Sequence, residues 1–313
     1  MADQMLKFVS LPPEAPSKRP AAERRGDFHE IYAELLHEKA AQQASRCSQC
    51  GVPFCQSSCP LHNNIPDWLK LTAEGRLEEA YEVSAATNSM PEICGRICPQ
   101  DRLCESDCVI EQSGHGTVTI GAVEKYITET AWDNGWVAPL RPGPARGQSV
   151  GIIGAGPAGL AAAESLRAKG YDVVIYDRYD RPGGLLIYGI PNIKLEKDVV
   201  ARRTQRLANG GVRFALNTEV GRDVGFEELR TRHDAVLIAT GVYQARPLDV
   251  PNASAKGAVE ALTFLTAANR VGLGESVPAF TAGTLDAKAK RVVVIGGGET
   301  AQDGVRTAGG EGG

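Results

Sequence analysis

The chain has 313 residues, enough for about two or three domains with hydrophobic cores of their own, so it does not depend on covalent cross-links to fold. Its 34 basic and 38 acidic residues give a net charge of -4 with no long basic run, a balance that argues against nucleic acid and anionic membrane surfaces as partners. Prolines and charges occupy the N-terminal stretch where a signal peptide carries an apolar core, and no uncharged apolar run reaches membrane-spanning length; the expectation is a soluble, cytoplasmic protein.

Residues 1–27, rich in proline and charge, read as an extended arm. Ile31, Leu35 and Leu36 then fall at helical spacing, which predicts a helix delivering the chain to Cys47. Trp68, Leu69, Leu77 and Tyr81 lie on helix faces interrupted near Gly75, so residues 1–148 are expected to form a small all-α domain wrapped around their cysteines. The stretch WVAPLRPGPARGQ reads as a linker. From Ser149 the composition shifts to Val, Ile, Gly and Ala, and the pattern becomes strand, glycine turn, helix, strand: SVGII, the helix around LAAAESLRAKG, then YDVVIYD. A helix at KDVVARRTQRLANGG and strands at VRFAL and DAVLIAT follow, which together predict an α/β Rossmann-type domain over 149–288. RVVVI before GGGETAQD repeats the strand-turn-helix opening and predicts the start of a second such domain over 289–313.

All eight cysteines lie within residues 47–108 and the rest of the chain has none, a distribution unlike that of scattered core thiols. Disulfides fit a reducing cytoplasm poorly. Zinc is the serious rival, because Cys47 and Cys50 form a CxxC half-site, although zinc sites usually show two separated pairs. The spacings are CxxCxxxxCxxxCP and CxxxCPxxxxxCxxxC, with proline directly after Cys59 and Cys98. Iron-sulfur runs also end in CP and lend their last cysteine to the other of two clusters. Two 4Fe-4S clusters sharing ligands crosswise would group Cys47, Cys50 and Cys55 with Cys108, and Cys98 and Cys104 with Cys59, leaving one place for Cys94.

GAGPAG, from Gly154 through Gly156, Pro157 and Ala158 to Gly159, is a weak signal alone. Its context strengthens it: an apolar strand precedes it, an Ala-rich helix follows, and Asp177 ends the next strand. Gly154 permits the tight turn, Gly156 lets the backbone approach a pyrophosphate, Gly159 allows close helix packing, and Asp177 can accept ribose hydroxyls. GGGETA, with Gly296, Gly298 and Ala301, is a second match. Two such openings point to FAD on the first and a nicotinamide dinucleotide on the second, with a hydride passing to the flavin and electrons leaving singly to iron-sulfur clusters. That chemistry asks for no acid-base side chain; no GxSxG elbow or HExxH is present, and the five histidines are dispersed and read as surface or structural.

In this order CSQCGVPFCQSSCP, CGRICPQDRLC, GIIGAGPAGL, RPGGLLIYGIP, LIATG and VVVIGGGETAQD resemble the small (beta) subunit of NADPH-dependent glutamate synthase, an electron-input module also found in dihydropyrimidine dehydrogenase. The resemblance covers about residues 28–305. It implies two 4Fe-4S clusters on the helical domain, FAD on the first Rossmann domain, NADPH on the second, and transfer of electrons to a large (alpha) subunit that makes glutamate from glutamine and 2-oxoglutarate. It also implies that Glu124, otherwise read as an exposed helix residue, competes with Cys94 for the last cluster place, and that Gly183, Gly184, Thr240 and Gly241 contact flavin. Electron input to another acceptor, or a fragment keeping only a metal-bound interaction module, are the competing readings. Only 18 residues run from Gly296 to the end, against ~30 for a βαβ unit. The second Rossmann domain is therefore expected to be incomplete, without the strand that discriminates NADPH from NADH.

Overall fold

A computed structural model describes residues 5–253 and 255–310. The outermost residues of the expected arm (1–4) and of the expected second nucleotide unit (311–313) lie outside the described residues. The chain divides into two compact units, Met1–Pro20 with Ile31–Ala138, and Ala21–Glu30 with Pro139–Gly313. The helices of seven or more residues in the first unit are α1 (His37–Ser45), α2 (Ile65–Ala73), α3 (Leu77–Ala85), α4 (Pro91–Ile97) and α5 (Ile120–Asp133). The second unit has β1 (Ser149–Ile153), α6 (Pro157–Ala168), β2 (Asp172–Tyr176), α7 (Lys197–Asn209), β3 (Arg213–Ala215), α8 (Phe226–Arg232), β4 (Ala235–Ile238), α9 (Ala261–Gly272) and α10 (Glu299–Gly310).

The first unit is helical, as its periodicity predicts. Trp68 and Leu69 on α2 and Tyr81 on α3 bury against Ile120, Val123 and Ile127 of α5, and the Trp68 indole N–H donates to Asn63 Oδ1 at 2.7 Å, so its one polar atom is satisfied. The break between α2 and α3 falls where expected, at Gly75 with φ +77°. The first helix begins later than expected. It starts at His37, and Leu36, which the spacing placed on a buried face, caps it with 72% of its surface exposed. Burial also overturns the expected exposure of Glu124, which keeps only 8% of its surface. Gly95 and Gly121 explain how α4 and α5 come so close: a Cβ at Gly95 would stand 2.6 Å from the Lys125 backbone nitrogen and 3.0 Å from the Gly121 carbonyl oxygen.

The second unit is built on a four-stranded parallel sheet in the order β3-β2-β1-β4. β1 pairs with β2 from Ser149↔Asp172 to Ile153↔Tyr176, and with β4 from Val150↔Ala235 to Ile153↔Ile238. The two apolar runs that read as buried strands, VGII and VVIY, are both buried, as a parallel sheet covered on its faces requires. The stretch expected to be a linker begins in the first unit, where Trp136 and Val137 pack against its core, and from Pro139 belongs to the second: the Gly143 N–H donates to Ala168 O and Leu140 is buried against Gly210. RVVVI forms no strand. Residues 291–297 pair with nothing in the sheet, and Val293 and Ile295 are 85% and 74% exposed, because a parallel strand gains its hydrogen bonds only from neighbouring strands. The helix after GGGETA does form, as α10, which packs against α9 and is tied by Lys194 Nζ to Glu299 and Asp303 at 2.6 Å each.

Candidate functional site

All eight thiols are free, and the fold sorts them into two sets. Cys47, Cys50 and Cys55, on the segment from the end of α1 through the short helix Phe54–Ser57, are electrostatic neighbours, and Cys108, far along the chain, joins them. Cys94 and Cys98 from α4 and its cap, Cys104 from the following loop, and Cys59 form the second set, which also takes in Glu124 from α5. The close packing at Gly95 and Gly121 is what carries Glu124 to the α4 cysteines. Among the described residues no three His, Cys, Asp or Glu side chains converge as they would on one metal ion. A 4Fe-4S cube places its four ligands on four different irons, so its thiolates surround a body rather than a point.

The electrostatics of both sets describe places where negative charge gathers out of water. Burial pushes Cys55 up to about 12, helped by Cys47 and Cys108. Burial likewise pushes Cys94 up to about 12 and Cys98 to about 11, in each case with Glu124 adding to the rise. Cys47 and Cys104 rise for the same first reason, and burial lifts the Glu124 carboxyl to about 8. A cationic iron core inverts this logic, since coordination deprotonates a thiol. Soft thiolate donors in two groups of at least four fit 4Fe-4S ligation. Asn88, 4% exposed, is a residue that spacing could not single out: its Nδ2 donates to Glu124 Oε1 at 3.2 Å, and the same side chain hydrogen-bonds Cys94.

In the second unit the GAGPAG loop lies at the C-terminal ends of β1 and β2, with the Gly154 N–H bonded to Tyr176 O at 2.8 Å. Gly154 has φ +111°, and a Cβ there would stand 2.3 Å from Ala239 O on the strand end that leads into Thr240 and Gly241. A Cβ on Gly159 would meet the Gly154 carbonyl oxygen at 2.0 Å, which is the close helix approach its position predicts. At Gly156 a Cβ meets nothing within 4 Å; the backbone faces open space, and Pro157 and Ala158 beside it are exposed. Gly183 and Gly184 are buried directly under this loop, Gly183 donating to Ala155 O at 2.8 Å and Gly184 within 2.8 Å of Gly156 Cα when given a Cβ. This is a cradle that a dinucleotide pyrophosphate fits, on the N-terminus of a twelve-residue helix.

Asp177 is buried at the end of β2, and its two carboxylate oxygens accept the backbone N–H groups of Ala155 at 2.6 Å and Tyr179 at 2.9 Å. It therefore ties the glycine loop to β2 while keeping lone pairs on each oxygen. Lys197, which the sequence did not mark, is held at the start of α7, where Nζ donates to Leu186 O at 3.1 Å and to Ile190 O. It closes the RPGGLLIYGIP loop from below. Burial pushes its ammonium down to about 7. Gly296, Gly298 and Ala301 lie on the turn that opens α10, exposed except for the half-buried Ala301, with no strand beneath them. The strand half of a second dinucleotide fingerprint is thus absent among the described residues, and the geometry does not form a nicotinamide cradle.

Comparison with known proteins matches residues 148–305, half of the chain, to the family model described as pyridine nucleotide-disulphide oxidoreductase. The chain belongs to that family. Residues 24–136 match a second model, dihydropyrimidine dehydrogenase domain II, 4Fe-4S cluster, which covers both cysteine groups. Among curated relatives of this oxidoreductase, the glutamate synthase [NADPH] small chain of Azospirillum brasilense is 65% identical over 309 residues, 98% of this chain and 64% of the relative. The Escherichia coli small chain is 45% identical over 98% of this chain and 65% of its own length, and that of Mycobacterium tuberculosis 42% identical over 92% and 59%. The chain spans just under two thirds of these relatives. Its resemblance to glutamate synthase small chains thus extends along nearly its whole length. No described helix is long and apolar enough to cross a membrane.

Proposed function

We propose that this chain is the electron-input part of a glutamate synthase, with NADPH as hydride donor and a large (alpha) subunit, which makes glutamate from glutamine and 2-oxoglutarate, as acceptor. The observation that carries the reading is the crosswise sorting of the thiols. Residues 1–148 would hold one 4Fe-4S cluster on Cys47, Cys50, Cys55 and Cys108, and a second on Cys59, Cys98, Cys104 and either Cys94 or Glu124. Residues 149–288 would hold FAD, its pyrophosphate on Gly154, Gly156 and Gly159, its ribose at Asp177, and its remainder along Gly183, Gly184, Thr240 and Gly241. Bound there, FAD would supply two-electron hydride chemistry and iron-sulfur clusters would supply one-electron transfer. The protein supplies the rest: Asp177 and Lys197 fix the two flavin loops, and burial around the thiols excludes water. Residues 289–310 contribute α10 without a paired strand, so NADPH enters as the donor named for the relatives rather than through a cradle at Gly296, Gly298 and Ala301.

The test is the visible spectrum of anaerobically purified protein before and after dithionite, then with NADPH. Broad iron-sulfur absorption that dithionite bleaches, superimposed on flavin bands, is the expected result. A colourless protein containing zinc would make the cysteines a scaffold and the chain an interaction module. Bleaching by dithionite but not by NADPH would leave the cofactors in place and remove the donor.

A further inference from the structure

Arg46 stands immediately before Cys47 and has no exposed surface. Its Nε donates to Leu11 O at 2.9 Å, its Nη2 to His115 O at 2.8 Å and Gly116 O at 2.9 Å, and its Nη1 to Thr117 O. The side chain thus joins the N-terminal arm to the 115–117 loop across the first unit. All four acceptors are backbone carbonyls, which take up four of the five N–H donors of the guanidinium but bring no formal negative charge to it. A desolvated cation in that condition is costly to keep. The acidic groups near enough to interact with it are the Cys108 thiol and the exposed Glu111 carboxylate. Cys108 is the residue that completes the first thiol set, and Cys47, the neighbour of Arg46 in sequence, opens it.

We propose that Arg46 is the fixed counter-charge of the first thiolate set and holds the reduction potential of the cluster bound there above the value it would have without it. The inference rests on the cluster assignment of the proposed function. A 4Fe-4S cube with four thiolates is anionic when oxidised, and reduction by an external donor such as dithionite adds one further negative charge. A cation that cannot move or hydrate differently stabilises the reduced form more than the oxidised one, and net charge near the cube is one of the levers that set its potential. Arginine suits the role because its planar fork can be held by several carbonyls at once while remaining charged.

The experiment is a potentiometric titration of the full chain followed by electron paramagnetic resonance, with iron content measured alongside, for wild type, Arg46→Gln, Arg46→Lys, Arg46→Met and Glu111→Gln. Arg46→Gln should move one of the two cluster midpoints to more negative values and leave the other in place. Arg46→Lys, which keeps the charge but cannot reach all four carbonyls, should stay near wild type in potential. A Gln variant with both midpoints unchanged, or Lys and Gln variants shifted equally, would overturn the inference. Should the Gln variant fail to fold, Arg46→Met, which keeps an aliphatic stem and removes the charge, decides: the same midpoint should fall, and no movement would overturn the proposal, while Glu111→Gln gives the reference size for loss of one exposed charge nearby. Wild-type protein without iron would instead remove the cluster assignment itself.

Discussion

A Cβ on Gly154 would press on the Ala239 carbonyl oxygen at 2.3 Å and force a β-branched residue into φ +111°, whereas a Cβ on Gly156 would meet no protein atom within 4 Å. The two glycines therefore separate fold from ligand. Gly154→Val should lower stability by about 3 kcal/mol and lose FAD, while Gly156→Val should keep the urea midpoint of flavin-free wild type and still lose FAD. Flavin-to-protein ratios with urea curves check both, and full flavin occupancy in Gly156→Val would show that the pyrophosphate lies elsewhere. Lys197 makes a different residue-scale prediction. Its ordinary value is about 10.4 and its folded value is about 7, so between those limits the unfolded chain binds more protons than the folded one. Stability should rise as pH climbs from about 7 towards about 10. In Lys197→Met that rise should vanish, and an unchanged slope of urea midpoint against pH would contradict the burial of its charge.

At the scale of elements, the contact of α4 with α5 decides which groups surround the second thiol set. Gly95 meets backbone atoms rather than a flexible side chain, so Gly95→Ala must separate the two helices by some tenths of an ångström, at about 1–3 kcal/mol. Glu124 rides on α5 and should move away from Cys94, Cys98 and Cys104. We expect about half of the iron to be lost, with the first thiol set unaffected; a wild-type iron-to-protein ratio would mean that the helix spacing does not govern the site. RVVVI gives the opposite lesson. Its apolar run satisfies every sequence criterion for a buried strand, yet a strand is a property of a pair, and among the described residues this stretch finds no neighbour to pair with.

For the molecule as a whole, the crosswise sorting puts the cysteines of one sequence motif into two different sets of neighbouring thiols. Cys108→Ser should lose the cluster of Cys47, Cys50 and Cys55 while sparing the other, and Cys98→Ser should do the reverse, each leaving about half the iron and one set of resonance signals. Loss of all iron in both variants would mean one joint site. Because metal binding contributes to folding, each variant should also lower the melting temperature of the first unit.

The sequence by itself determined the order of helical and α/β units, the four strands of the sheet, the glycine loop with Asp177 and the crowding of thiols, because these rest on local periodicity, turn chemistry and spacing. It also carried the resemblance to glutamate synthase small subunits, which the comparisons bear out. Tertiary structure decided the rest. The resemblance had already pointed to Glu124, and Arg46 adjoins the CxxC motif, whereas Asn88 and Lys197 have ordinary sequence surroundings; what makes all four notable is burial and the partners that distant segments bring: α4 to Glu124 and Asn88, the arm and the 115–117 loop to Arg46, the 186–190 segment to Lys197. Long-range packing sets desolvation and charge proximity, and no window along the chain contains either quantity.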